Sequence, residues 1–169
     1  MIDPDEPLLE HGSDSRSRPT AALDVRRRIQ RLAEGQPYAV LCTQGDGQPY
    51  GSLVAFAFSE SLEQAVFATP ITTRKYRLLS ACEHVALVVD DRPEHSADLM
   101  EIEGVTVTGR AVEIERGEEF DRWASLLVAR HRYLEKFVTA TSCALFRIDV
   151  IRCFHVTRFQ EVREWVPTS

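Results

Sequence analysis

Tyr38-Ala39-Val40-Leu41-Cys42-Thr43, then Gln44-Gly45-Asp46-Gly47-Gln48-Pro49, then Tyr50-Gly51-Ser52-Leu53-Val54-Ala55-Phe56-Ala57-Phe58 is a pair of apolar, strand-like runs around a turn. The glycines and the aspartate supply the positive φ angles of a hairpin, so Ala39–Thr43 and Tyr50–Phe58 are expected to pair antiparallel. Downstream, a turn at Ser59–Gln64 leads to a strand at Ala65–Thr69, a short helical piece at Thr73–Cys82 and a Val-rich strand at His84–Asp90, four strands in a meander. A polar loop from Asp91 to about Met100 precedes a strand over Glu101–Ile114, whose alternation slips near Gly109-Arg110 as a β-bulge requires. Glu118–His131 reads as a helix, and two strands, Cys143–Val150 and Arg152–Trp165, close the chain. Upstream, Ala22, Val25, Ile29 and Leu32 repeat at helical steps, with Pro19 and Thr20 at the start and Gly35 and Pro37 at the stop. Six or seven strands with two or three helices, mostly antiparallel, predict an α+β fold that is mainly β: a barrel with helices packed outside.

A chain of 169 residues, 44% apolar and 27% charged, fits one globular domain. Residues 1–19 carry little apolar surface and are expected to be a disordered or strapped-down tail, with the domain over 20–169. The net charge of −6 argues against a nucleic-acid partner. Arg26, Arg27, Arg28 and Arg31 crowd the first helix, where solvated arginines are the ordinary reading. Cys42, Cys82, Cys143 and Cys153 form no CxxC pair, which predicts neither a disulfide scaffold nor a zinc site. With no signal-like start and no long apolar run, the expected location is the cytoplasm and no membrane partner is expected.

Two stretches carry candidate chemistry. In Phe67-Ala68-Thr69-Pro70-Ile71-Thr72-Thr73-Arg74-Lys75-Tyr76 a strand end, a hydroxyl-bearing turn and two cations meet at a helix start. Free backbone amides, Thr hydroxyls, a forked guanidinium and a lysine suit a phosphate. The same residues also suit a plain helix start, with Thr72 or Thr73 as cap and Arg74 and Lys75 solvated, and local chemistry leaves both open. In Gly51–Ala57 small side chains would let a flat ligand lie against the backbone, although tapered barrel strands look the same.

In order and spacing, five pieces resemble the pyridoxamine 5′-phosphate oxidase-related, FMN-binding split β-barrels: Tyr38–Thr43 with Gly47–Tyr50, Phe67–Thr69, Thr73–Tyr76, Val85–Asp91 and Val105–Ala111, with a looser match at Arg158–Val162. The resemblance covers most of 20–166 and implies a homodimer holding two FMN molecules in clefts between subunits. Carried over, Ser52, Leu53, Val54, Ala55, Phe56 and Ala57 would run along the flavin ring. Ala68 and Thr69 would lie at the phosphate-side turn, with Thr72 and Thr73 beside it, and Arg74 and Lys75 would hold the phosphate. Gly104 stands where the oxidase has a polar flavin contact, which passes that role to Glu103 or the backbone. By the same analogy Arg158 or Gln160 reaches the partner's flavin, and Trp165 is the better tryptophan for an edge-on ring contact.

The chain also departs from the oxidase. Ser52 and Ala57 stand where the matched strand carries cations, and the C-terminal Arg/His pattern is not visible, so oxidation of pyridoxamine phosphate is not expected. His131 and His155 can in principle ligate haem iron or shuttle protons, but lone histidines are more often structural, and no metal site is expected. No nucleophile elbow or Cys–His pair is present. The leading expectation is an FMN-dependent oxidoreductase acting on a small organic substrate, with no catalytic side chain assigned. A haem- or deazaflavin-binding barrel and a non-catalytic flavin-binding or sensing module are the alternatives.

Overall fold

The computed structural model describes residues 19–95, 97–158 and 161–167, so residues 1–18 of the expected tail and Gln160 lie outside the described residues. The hairpin forms as the sequence predicts, but tighter. Strand β1 (Tyr38–Gly45) pairs with β2 (Gln48–Phe58) down to Gly45 opposite Gln48, leaving a two-residue turn. Asp46 and Gly47 there have φ of 52° and 77°, the left-handed pair of a type I′ turn.

From this hairpin the sheet grows in both directions. β3 (Gln64–Pro70) pairs with β2, while β4 (His84–Asp90) returns to the other edge of β1, with Val40 opposite Val88. The expected four-strand meander is therefore corrected: it holds for three strands only. An intervening helix, α2 (Arg74–Ala81), carries the chain across. β5 (Gly104–Glu113) pairs with β4, β6 (Cys143–Thr157) with β5, and β6 closes on β3 from Gln64–Asp149 to Pro70–Cys143. Six antiparallel strands thus form a closed barrel, and β7 (Glu161–Trp165) adds to β6 outside it.

The bulge is real, but its extra residue is on the partner strand. Thr108 faces Arg152 while Gly109 faces Val150, so Ile151 is the unpaired residue. β6 runs unbroken through this position, where two separate strands were expected, and bends across both halves of the barrel. Gly109 is required here: a Cβ would lie 2.5 Å from the Asp149 carbonyl oxygen and 2.7 Å from Ile148 Cγ2.

Inward-facing Leu41, Phe56, Phe67, Leu87, Val107, Ile148 and Cys153 are fully buried. Phe67 and Phe146, directly opposite each other across β3 and β6, stack with centroids 5.5 Å apart. Helix α1 (Pro19–Gly35) adds Val25, Ile29, Leu32 and Ala33 to this core near the start of β1. At the opposite end, by Gly45, α2 inserts Leu79 and packs Tyr76 edge-on to Phe146. Outward-facing Ala57, Val66 and Leu145 make a second core with Phe120, Trp123, Ala124 and Leu127 of α3 (Glu118–Arg130). A 3₁₀ turn (Arg132–Leu134) and α4 (Glu135–Thr139), not anticipated from sequence, follow α3. No helix among the described residues is long and apolar enough to cross a membrane.

Candidate functional site

At the corner where β3 hands over to α2, Thr73 is the N-cap: its Oγ1 accepts from the Tyr76 amide at 3.2 Å. The same hydroxyl lies 2.9 Å from the Pro70 carbonyl and 3.0 Å from Oγ1 of fully buried Thr69. Both inner hydroxyls are therefore committed to building the corner. The capping role left open for Thr72 or Thr73 falls to Thr73, and Thr72 is exposed beside it. The amides of Arg74 and Lys75, at the first two helical positions, have no intrahelical acceptor and sit at the positive end of the helix.

The two cations take different positions. Lys75 reaches back to β2, its Nζ 3.4 Å from the Leu53 carbonyl, and partial burial lowers its pKa. Arg74 is exposed, with its guanidinium carbon 5.2 Å from the centroid of the Tyr50 ring on the same strand. The fold thus draws Arg74 and Lys75 onto β2, joining the two stretches that the sequence offers separately. Tyr50 was not singled out from sequence, because its role depends on a helix that is distant in the chain.

The Ser52–Ala57 stretch divides by strand alternation. Val54 and Phe56 point into the barrel, Ala57 lies under α3, and Leu53 and Ala55 face outward, Leu53 with 72% of its surface exposed. Ser52 shares the inward side, and its buried Oγ has no hydrogen-bond partner. Ala68 is half-buried against the second core.

Glu103, Arg158 and Trp165 are not drawn into this corner. Glu103 bonds Arg28 at 3.0 Å and His155 Nε2 at 3.2 Å, and its amide donates to Asp91. Arg158 sits at φ 47° in the β6–β7 turn, exposed and 3.6 Å from Glu161. Trp165 packs into the barrel core opposite Cys153, on the side covered by α1, while the other residues of β7 face outward.

Near Glu103, a polar cleft of about 370 Å³ lies between α1 and the 91–103 loop. Its polar side chains largely pair among themselves, through Arg28–Glu103, Gln36–Glu94 at 2.7 Å and the His95 ring between Asp91 and Glu101. His155 is buried beside this group with Nδ1 unpartnered, and burial lowers its pKa against the pull of Glu103. His131, also buried, bonds the Phe56 carbonyl at 2.9 Å through Nε2. Neither histidine is presented to solvent, and no cluster suited to a metal ion occurs among the described residues. Burial drives the Cys153 thiol up to about 12 and raises Cys42 and Cys143 as well, which makes them poor nucleophiles.

A family model described as pyridoxamine 5′-phosphate oxidase matches residues 25–157. Among solved structures, a heme binding protein from Mycobacterium smegmatis superposes with a TM-score of 0.75 at 18% identity, over 89% of this chain and 60% of that one. An FAD-binding protein from Mesorhizobium loti gives 0.61 at 16% identity, covering 76% and 91%. A protein from Clostridium acetobutylicum related to general stress protein 26, of the pyridoxinephosphate oxidase family, gives 0.66 at 12% identity, covering 85% and 94%. No curated protein matches the sequence. The chain spans about three fifths of the mycobacterial protein, and likeness at these identities establishes the shared fold alone.

Proposed function

The chain belongs to the pyridoxamine 5′-phosphate oxidase family, and on that premise we propose that it is an FMN-binding oxidoreductase acting on a small organic substrate. The carrying observation is the corner at α2, where Arg74, Lys75 and two free helix amides converge on the outward edge of β2. Such a donor set fits a phosphate dianion, since charge-assisted bonds to a guanidinium and an ammonium are the strongest available on a surface. The small outward Ala55 beside exposed Leu53 on the same strand fits a flat ring laid against the outer face of β2, whereas Ser52 faces the barrel interior.

When bound, the flavin supplies hydride chemistry. In this reading Arg74 and Lys75 hold the phosphate, and Tyr50 keeps the Arg74 guanidinium in place. Thr73 and Thr69 fix the corner from within by bonding each other. β2 supplies backbone groups and excludes water from one face of the ring. The reading includes a homodimer, with a second copy closing over the outer face of β2 near Leu53, which is 72% exposed, so that a cleft for the ring remains between the subunits.

The test is the visible spectrum of protein purified without added cofactor, followed by mass analysis of what heat releases and by sedimentation. A yellow dimer releasing FMN supports the reading. Colourless protein that fails to take up added FMN overturns it. The mycobacterial neighbour favours haem as a second reading, which a Soret band in the same spectrum would identify.

A further inference from the structure

Tyr38 opens β1 directly opposite Ala55, in the middle of the β2 segment assigned to the flavin ring. Its hydroxyl lies 3.2 Å from that of Tyr133, which comes from the 3₁₀ turn after α3, and the two rings are 53% and 66% exposed. Tyr133 is held there firmly. The preceding residue but one, His131, is buried and tied to the Phe56 carbonyl, and it meets the Tyr133 ring edge-on at 5.9 Å. Arg130 bonds the carbonyls of Ala33, Glu34 and Gln36 at the end of α1, with its guanidinium over Phe56. Two anchors on two elements thus fix a turn whose outward product is one phenol placed against another.

A hydrogen-bonded pair of phenols uses one of its two O–H groups internally and leaves one donor free. Along β2 the pair stands two residues, or about 7 Å, from the Leu53 carbonyl that Lys75 grips. The phosphate corner and the phenol pair therefore frame the same outward strip, with Leu53 and Ala55 as its floor. We propose that Tyr38 and Tyr133 are substrate-positioning residues that receive a planar aromatic molecule carrying a single carbonyl, with the ring against the tyrosines and the oxygen accepting the free phenolic proton. This rests on the flavin reading for its place in catalysis, but the recognition it describes belongs to this chain's own side chains.

The test compares 2-acetylnaphthalene with 2-ethylnaphthalene, alike in shape but differing in the carbonyl, by fluorescence titration of the protein with and without added FMN. The wild-type protein is expected to bind the ketone about fivefold more tightly, the share of one neutral hydrogen bond. In Tyr38→Phe/Tyr133→Phe the ketone is expected to weaken to the level of the hydrocarbon, whose own affinity and the FMN affinity stay unchanged. Tyr133→Ala should weaken both probes. Equal binding of ketone and hydrocarbon by the wild type, or a ketone preference that survives the double Phe variant, overturns the proposal. A protein that prefers the ketone through these tyrosines but takes up no FMN sustains the subsite and overturns the flavin reading instead.

Discussion

Removing the two cations at the α2 corner separates their contributions, because the structure gives them unequal settings. Lys75 is half-buried with its ammonium on the Leu53 carbonyl, so its bond to a phosphate forms where water is partly excluded. A charge-assisted bond is worth about 1.5–3 kcal/mol, and Lys75 takes the middle of that range, about 2 kcal/mol. Arg74 is exposed and stacked near Tyr50, so solvent screening reduces it to about 1 kcal/mol. Lys75→Ala should then weaken FMN binding roughly 30-fold, Arg74→Ala roughly fivefold, and the pair together on the order of 100-fold, at about 1.4 kcal/mol per factor of ten. Flavin fluorescence quenching on titration into cofactor-free protein reads all three constants, and rising salt should weaken Arg74→Ala less than wild type. The urea midpoints of the cofactor-free variants should stay close to wild type, which shows that the barrel is intact. A folded double variant that binds FMN as tightly as wild type refutes the assignment of the phosphate to this corner.

Gly109→Ala should lose about 2–3 kcal/mol in urea unfolding, because the added methyl meets a backbone carbonyl at 2.5 Å that moves only if β5 and β6 part; Gly35→Ala, with open space around it at the end of α1, should be neutral or gain up to about 1 kcal/mol. Thr73→Ala should cost about 1–2 kcal/mol, since it removes the α2 cap and leaves the buried Thr69 hydroxyl without that partner, whereas Thr73→Ser should retain most of the stability; equal midpoints for Ala and Ser would contradict the capping role. His155 is buried with its pKa below the usual value, facing Glu103, Arg28 and Arg163, so below about pH 6.5 the unfolded chain takes up the proton more readily and stability falls with acidification. Urea midpoints measured from pH 8 to pH 5 should therefore drop less steeply in His155→Gln than in wild type; parallel curves would show that His155 does not carry the effect.

The hairpin at 38–58 was legible because its information is local: Asp46-Gly47 sets a left-handed turn, and alternation sets the two faces. The same holds for α1, whose buried Val25, Ile29 and Leu32 follow the apolar spacing, and for the α2 start, where a hydroxyl precedes two cations. Pairing partners beyond the hairpin were not legible. β4 prefers β1 to β3 because the α2 crossover frees it from its sequence neighbour, and β3 instead closes the barrel on β6, more than 70 residues downstream in the chain. Likewise the slip in β5 announced a bulge, while the extra residue, Ile151, could be identified only once the opposing strand was in place.

The site divides in the same way. Sequence by itself offered Arg74, Lys75 and a small-residue strand as separate pieces, each with an ordinary structural explanation. Only the tertiary fold set the Lys75 ammonium on the Leu53 carbonyl, turned Val54 and Phe56 inward and Leu53 outward, buried Trp165, drew Glu103 to Arg28 and His155, and brought Tyr133 to Tyr38 across 95 positions. Helix caps, turns and strand alternation are decided within a few residues by backbone sterics and hydrogen bonding. Which side chains share a surface is decided by how a closed sheet buries its apolar faces, and that depends on the whole chain at once.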